Sequence, residues 1–207
     1  MSAMTLESGL AAMGLDLPPE VRAKLLAFAA LLAKWNKVYN LTSIRDAGQM
    51  LTHHLLDSLA VLPQLAGIER LADVGSGGGL PGIPLAIATQ ALAITSIETV
   101  NKKASFQQQA KIELGLANFD VLNERVENVR PDALFDAIIS RAFSELADFV
   151  GLTQHLLRPG GRFLAMKGVY PHDEIARLPA DFRVVEAVPL TVPGLGAERH
   201  LIIVEKS

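Results

Sequence analysis

The sequence predicts an α/β fold: a seven-stranded, mostly parallel sheet with an antiparallel C-terminal strand, preceded by a helical extension. Three observations carry this. Up to about residue 66 the apolar residues recur only at helical spacing. From residue 67 onward, short apolar runs alternate with amphipathic stretches, the pattern of parallel strands joined by right-handed helical crossovers. Near the end, two apolar runs flank the short segment Val192-Pro193-Gly194-Leu195-Gly196, and strands so close in sequence pair antiparallel. The expected division is a helical cap over 1–66 and an α/β core over 67–207.

The elements follow in order. Residues 6–13 read as a short helix. Pro18-Pro19-Glu20 opens a longer one reaching about Val38, since proline and an acid suit a first turn. Its apolar face is Leu25, Phe28, Ala29, Leu32 and Trp35. A third helix is expected over 46–62, stopping at Pro63, with Met50, Leu51, Leu55, Leu59 and Leu62 apolar. Strands are expected over 71–74, 93–98, 119–122, 137–140, 162–166, 182–190 and 200–205. The intervening helices are 84–90, 102–114, a weak turn at 126–129, and 146–157. Gly115 and the pair Gly160-Gly161 read as left-handed caps that end two of them.

Composition narrows the function. In 207 residues, half of them apolar, a sizeable core forms without staples, and the absence of cysteine excludes disulfides and thiolate metal sites. That fits a reducing, cytoplasmic setting. Residues 1–9 carry Glu7 and no basic cluster, unlike a signal peptide. Residues 74–97 hold no charge and are long enough for a bilayer, but Pro81, Pro84, Thr89, Gln90 and five glycines before Ile83 divide them into loop, helix and strand. No membrane association is expected. The net charge of -3 is a poor footprint for free nucleic acid, so any RNA contact must rest on local clusters.

The densest signal is Asp73-Val74-Gly75-Ser76-Gly77-Gly78-Gly79-Leu80-Pro81-Gly82, with Glu98 sixteen residues beyond. Glycines let a backbone turn sharply and approach a ligand, and the helix that follows aims its amide end at that ligand. Glu98, at the tip of the second strand, can accept two hydrogen bonds from a ribose. This is a nucleoside-cofactor site at the carboxyl ends of parallel strands. Gly77, Gly79 and Gly82 also fit the dinucleotide pattern G-x-G-x-x-G. Asp73 argues against it, because a dinucleotide strand normally stays apolar there. Asp73-x-Gly75-x-Gly77-x-Gly79 instead resembles the first motif of S-adenosylmethionine-dependent methyltransferases, in which the acid lies near the cofactor's amino-acid end. A merely glycine-rich turn is the bland alternative.

Further motifs run along nearly the whole chain: Trp35-Asn36, Asn40-Leu41-Thr42, His54-Leu55-Leu56-Asp57-Ser58-Leu59, the glycine block continuing into Ile83-Pro84, Ser140-Arg141-Ala142, Lys167-Gly168 and Glu198-Arg199-His200-Leu201. Together they resemble the small-subunit ribosomal RNA guanine-N7 methyltransferases, also called glucose-inhibited division protein B. Thr99-Val100-Asn101 is not matched to that pattern. The resemblance implies a Rossmann-like fold, S-adenosylmethionine as cofactor, and a guanine of the 16S decoding-site RNA, free or in the small-subunit particle, as substrate for a cytoplasmic monomer. Guanine N7 has a lone pair and no proton to lose. In-line displacement on it needs no general base, leaving catalysis to positioning and electrostatics.

The residues expected at the cofactor are Asp73, Gly75, Gly77, Gly79, Leu80, Glu98, Val126, Glu127 and Arg141. Arg141, after the fourth strand, is also the expected positioning group beside the reacting atoms, and a planar guanidinium suits a phosphate or a guanine edge. Arg141, Lys167, Arg199 and His200 are the expected RNA contacts. His54 and Asp57 share a helix face with His53 nearby, but no third ligand is evident and no metal is expected. Trp35 reads as core rather than a base-stacking platform, and Asn36 and Asn40 as capping groups. Two other functions stay open on the residues alone: a methyltransferase of the same fold acting on a small molecule or protein, and a non-catalytic cofactor-sensing or RNA-binding module of the assembling ribosome.

Overall fold

The computed structural model describes residues 4–141, 143 and 145–207. Residues 1–3 of the amino-terminal segment and Ala142 of the Ser-Arg-Ala motif lie outside them. Helix α1 (Leu6–Ala12) starts on a reciprocal cap: Thr5 Oγ1 accepts the Ser8 amide at 3.1 Å and Ser8 Oγ accepts the Thr5 amide at 3.0 Å. Helix α2 (Pro19–Tyr39) opens on its proline and ends at Asn40, which takes a left-handed φ of 49°. Its buried face is Leu25, Phe28, Leu31 and Leu32.

Helix α3 (Ala47–Met50), capped by Asp46, runs into a π-helical turn (Leu51–Leu56) and then α4 (Asp57–Leu59). The helical run therefore ends before the expected Leu62. Pro63 sits inside a 3₁₀ turn (Leu62–Leu65), where its missing N–H needs no partner.

Among the described residues, seven strands form one sheet: β1 (Arg70–Val74), β2 (Ala93–Ile97), β3 (Phe119–Leu122), β4 (Phe135–Ser140), β5 (Leu157–Lys167), β6 (Phe182–Pro189) and β7 (His200–Lys206), in the order β3-β2-β1-β4-β5-β7-β6. β7 is antiparallel to both neighbours and the other pairings are parallel. The crossovers carry α5 (Gly82–Ala88), α6 (Asn101–Leu114) and α7 (Leu146–Thr153); α8 (His172–Ala176) follows β5. The pleat sorts the strand residues. Leu71, Ile139, Leu164 and Ile203 pack with α1, α2, α5 and α6, whereas Ala72, Ile138, Phe163 and Ile202 pack with α7. The N-terminal helices thus share one core with half of the sheet. No helix among the described residues is long and apolar enough to cross a membrane.

Gly115 caps α6 as expected, at φ 62°. Gly160-Gly161 do not cap a helix. α7 ends at Thr153 and a 3₁₀ turn (Gln154–Leu156) leads into β5, which contains both glycines. They serve a register shift against β4 between Phe135 and Ala137. Gly160 has φ 75°, and a Cβ on Gly161 would lie 2.8 Å from the Asp136 carbonyl.

Trp35 is half-buried and packs against the edge of the core. It meets Phe106 of α6 at 5.6 Å between ring centroids, and Phe28 meets the same ring at 6.3 Å. Phe28→Ala should therefore cost about 3–5 kcal/mol in chemical denaturation, because it removes a fully buried ring packed between α2 and α6. An unchanged midpoint would mean that α2 does not stabilise the core.

Candidate active site

The sheet order reverses between β1 and β4, with β2 on one side and β4 on the other, and a cleft opens at the carboxyl ends of such strands. Past Val74 the chain turns through Gly75, Gly77 and Gly79 at φ 72°, 57° and 80°, a region L side chains rarely enter. The glycines are used differently. A Cβ on Gly77 would meet nothing within 4 Å, whereas one on Gly79 would lie 2.3 Å from Ile83 Cδ1. Gly77 leaves room for a ligand; Gly79 lets the loop pack on α5.

Buried polar groups hold this loop. Glu98 Oε2 accepts the Gly77 amide at 2.7 Å and its Oε1 the Val100 amide at 2.8 Å. The Gln107 side-chain amide donates to Ser76 Oγ at 2.7 Å and to the Gly77 carbonyl at 2.8 Å, and its oxygen accepts from Ser96 Oγ. Asp73 is fully buried; Oδ2 accepts the Gly82 amide at 2.8 Å, and among the described residues Oδ1 has no hydrogen-bond partner. Burial pushes the Asp73 carboxyl up to about 7; the Gly82 N–H and the charge of Arg141 pull it down, and Glu98 pushes it up.

Three adjoining cavities follow the loop. One, of about 340 Å³, is lined by Val74, Gly75, Ile97, Thr99, Val126 and Glu127 among others. A second, of about 210 Å³, touches Gly75, Gly77, Leu80, Thr42, His54 and Arg141. A third, of about 410 Å³, is lined by Thr42, His53, His54, Arg141, Lys167 and Arg199. Of the residues expected at the cofactor, Gly75, Gly77, Leu80, Val126, Glu127 and Arg141 line a cavity. Asp73, Gly79 and Glu98 lie behind the loop and shape it. Thr42 and Thr99 also line these cavities; both fall in stretches noted in the sequence, but neither was expected at the site.

The expected cations do gather, and each is tethered. Arg141 Nη1 lies 3.0 Å from Asp57 Oδ2, and Arg199 Nε 2.8 Å from Asp57 Oδ1. Lys167 Nζ reaches Glu174 at 2.6 Å and the Phe143 carbonyl at 3.0 Å. His200 Nδ1 lies 2.7 Å from the Gly168 carbonyl, beside the third cavity. Among the described residues no group of three or more His, Cys, Asp or Glu could hold a metal ion.

This sheet order, with a glycine loop at its switch point and a carboxylate closing the second strand, defines a Rossmann-like methyltransferase. Solved structures agree in fold. The O-methyltransferase TomG from Streptomyces achromogenes, in complex with SAM, superposes with a TM-score of 0.62 at 16% identity, covering 97% of this chain and 96% of that one. A SAM-dependent methyltransferase from Aquifex aeolicus gives 0.61 at 18% identity, covering 84% and 97%. The particular family follows from sequence. The family described as "GidB: rRNA small subunit methyltransferase G" matches residues 21–202, and the chain belongs to it. The Ribosomal RNA small subunit methyltransferase G of Aromatoleum aromaticum is 80% identical over 211 residues, covering 100% of both chains. That of Azoarcus sp. is 62% identical over 201 residues, covering 97% of this chain and 95% of its own.

His54 joins a hydrogen-bonded network within the N-terminal helical segment and lines the cleft. Its Nε2 lies 2.9 Å from Thr42 Oγ1; Thr42 donates its amide to Asn36 Oδ1 at 2.9 Å, and Asn36 Nδ2 donates to the Ile44 carbonyl at 3.0 Å. Burial and then the Arg141 charge lower its pKa to about 4, so it is neutral at pH 7. The unfolded chain takes up this proton first. The stability His54 confers is present above about pH 6.5 and lost as pH falls towards 4. Denaturation at several pH values should show wild type losing on the order of 3 kcal/mol more than His54→Gln across that window. Parallel curves would mean the folded protein accepts a charged His54.

Proposed function

We propose that this protein transfers a methyl group from S-adenosylmethionine to N7 of a guanine in 16S ribosomal RNA, free or in the small-subunit particle, acting as a monomer in the cytoplasm. One observation carries the reading: Arg141, with Thr42 and His54, lines both the cavity at the glycine loop and the cation-lined cavity beside it. A donor site and an acceptor site therefore share a wall.

The residues present fit the cofactor. The space beyond Gly77 is open to a ligand, and the orphaned Oδ1 of Asp73 suits an ammonium nearby, directly or through water. Each Glu98 oxygen accepts one amide and keeps a lone pair for a ribose hydroxyl. Val126 and Thr99 offer an apolar wall and a polar edge to an adenine. When bound, S-adenosylmethionine supplies a methyl on a sulfonium: the C–S bond breaks as the N7 lone pair forms the new N–C bond, leaving a neutral thioether and a cationic 7-methylguanine. No proton moves, so the neutral His54 has none to take. Arg141 orients the base, Lys167, Arg199 and His200 meet the RNA, and residues 1–66 cap the 67–207 core, contributing Thr42 and His54 to the cavity walls.

The test offers labelled cofactor to small-subunit particles, naked 16S RNA and a panel of small molecules, and maps N7-methylguanine by strand scission. Label in RNA at a guanine N7 is expected; label confined to small molecules would overturn the reading. For the cofactor, Gly77→Val should abolish S-adenosylmethionine binding in calorimetry while circular dichroism stays native, since its side chain enters ligand space and its φ is forbidden to valine. Gly79→Val is the contrasting case: its side chain meets Ile83 and its φ of 80° strains valine, so it should lower stability as well as cofactor affinity.

A further inference from the structure

Asp57 opens α4 directly behind the π-helical turn and is 1% exposed. Its two oxygens are shared between guanidiniums that come from 84 and 142 residues away. Arg141 Nη1 also donates to the His53 carbonyl at 3.0 Å, so it is held at two points; Arg199 Nη1 donates to the Glu198 carbonyl at 2.9 Å. The widened turn presents that acceptor: the Asp57 amide reaches back to Thr52 and His54, while the carbonyl of His53, between them, takes Arg141. Both arginine side chains keep about a quarter of their surface exposed, at 27% and 24%, and both line the 410 Å³ cavity.

We propose that Asp57 is a positioning residue for methyl transfer, fixing Arg141 and Arg199 against the acceptor guanine and cancelling part of their charge where the purine becomes cationic. This rests on the RNA reading above. The cavity wall carries Arg141, Lys167 and Arg199, offset by Asp57 and Glu174. RNA binding favours uncompensated cations, because each phosphate contact releases counterions. Methyl transfer to N7 opposes them, because it moves the positive charge from the sulfonium onto the purine that they face. A buried carboxylate between two arginines meets both demands. The guanidinium edges still reach the cavity, and the local field falls by one charge.

The consequence separates binding from rate. Asp57→Asn keeps the size of the side chain and removes its charge. In the full-length protein saturated with S-adenosylmethionine, single-turnover methylation of small-subunit particles should fall at least about tenfold. The RNA Kd should be unchanged or tighter, and the salt slope steeper by about one. Arg199→Ala should act oppositely on binding, weakening RNA affinity and making the slope shallower by about one. A residue that only holds the fold would lower melting temperature, cofactor affinity and RNA affinity together. If Asp57→Asn fails to fold by circular dichroism, Arg199→Lys decides: it keeps the charge and loses the Nε bond, so transfer should slow at unchanged RNA Kd. Wild-type rate in the variant that folds, or loss of RNA affinity in proportion to rate, overturns the proposal. Wild-type enzyme that puts no methyl on RNA would instead overturn the reading beneath it.

Discussion

One carboxylate, Glu98, takes a backbone amide on each oxygen, from Gly77 and from Val100, and the glycine-loop side of the cleft follows from those two bonds. Three left-handed glycines give the loop after β1 more freedom in the unfolded chain than ordinary residues would, so ordering it is costly. Hydrogen bonds to a buried charged group, at about 1.5–3 kcal/mol each, are of the size needed to oppose that cost. The Ser76, Ser96 and Gln107 cluster continues the restraint into α6. With the loop fixed, the Gly82 amide falls within reach of Asp73 and α5 can begin. Leu32 of α2 then packs on the loop, 3.1 Å from where a Cβ of Gly78 would lie.

The central strands β1, β2 and β4 were legible because they are short, largely apolar runs bounded by turn residues and buried along most of their length. The features that escaped have particular causes. A glycine pair after a helical stretch signals a cap and a bulge equally well, so Gly160-Gly161 could not be assigned without knowing where α7 stops. A single π turn leaves apolar periodicity almost intact, and Leu51–Leu56 therefore reads as ordinary helix. α8 buries no residue and so has no stripe to detect. At the site, the glycines and Glu98 stood out because backbone geometry demands those residue types. Asp57 did not: helical spacing pairs it with His54, whereas its partners arrive from the ends of β4 and β7, which only the tertiary fold brings together.

The charge distribution of the cleft has a simple physical logic. At neutral pH His54 is neutral, and burial raises the Asp73 carboxyl to about 7. The strong charges sit at the rim, in pairs: Arg141 and Arg199 on Asp57, Lys167 on Glu174. An acidic protein can in this way face a polyanion with a small, orientated cationic edge instead of a broad basic surface, so that shape rather than bulk charge selects the RNA.

The position of β7 bears on how the enzyme comes into being. This strand lies between β5 and β6 yet follows both in the chain, and it runs against them, so it begins at the edge where the parallel strands end and delivers Arg199 there. During vectorial synthesis, β5 and β6 each wait with an unpaired edge until β7 emerges to join them. Until then the cavity lined by Arg141 and Lys167 lacks Arg199, and Asp57 lacks one of its two partners. A nascent chain could order the glycine loop well before it could present a complete face to RNA. Completion of the cleft is thus tied to insertion of the last strand of the sheet, and a chain stalled short of β7 would carry the glycine loop without the wall that faces it.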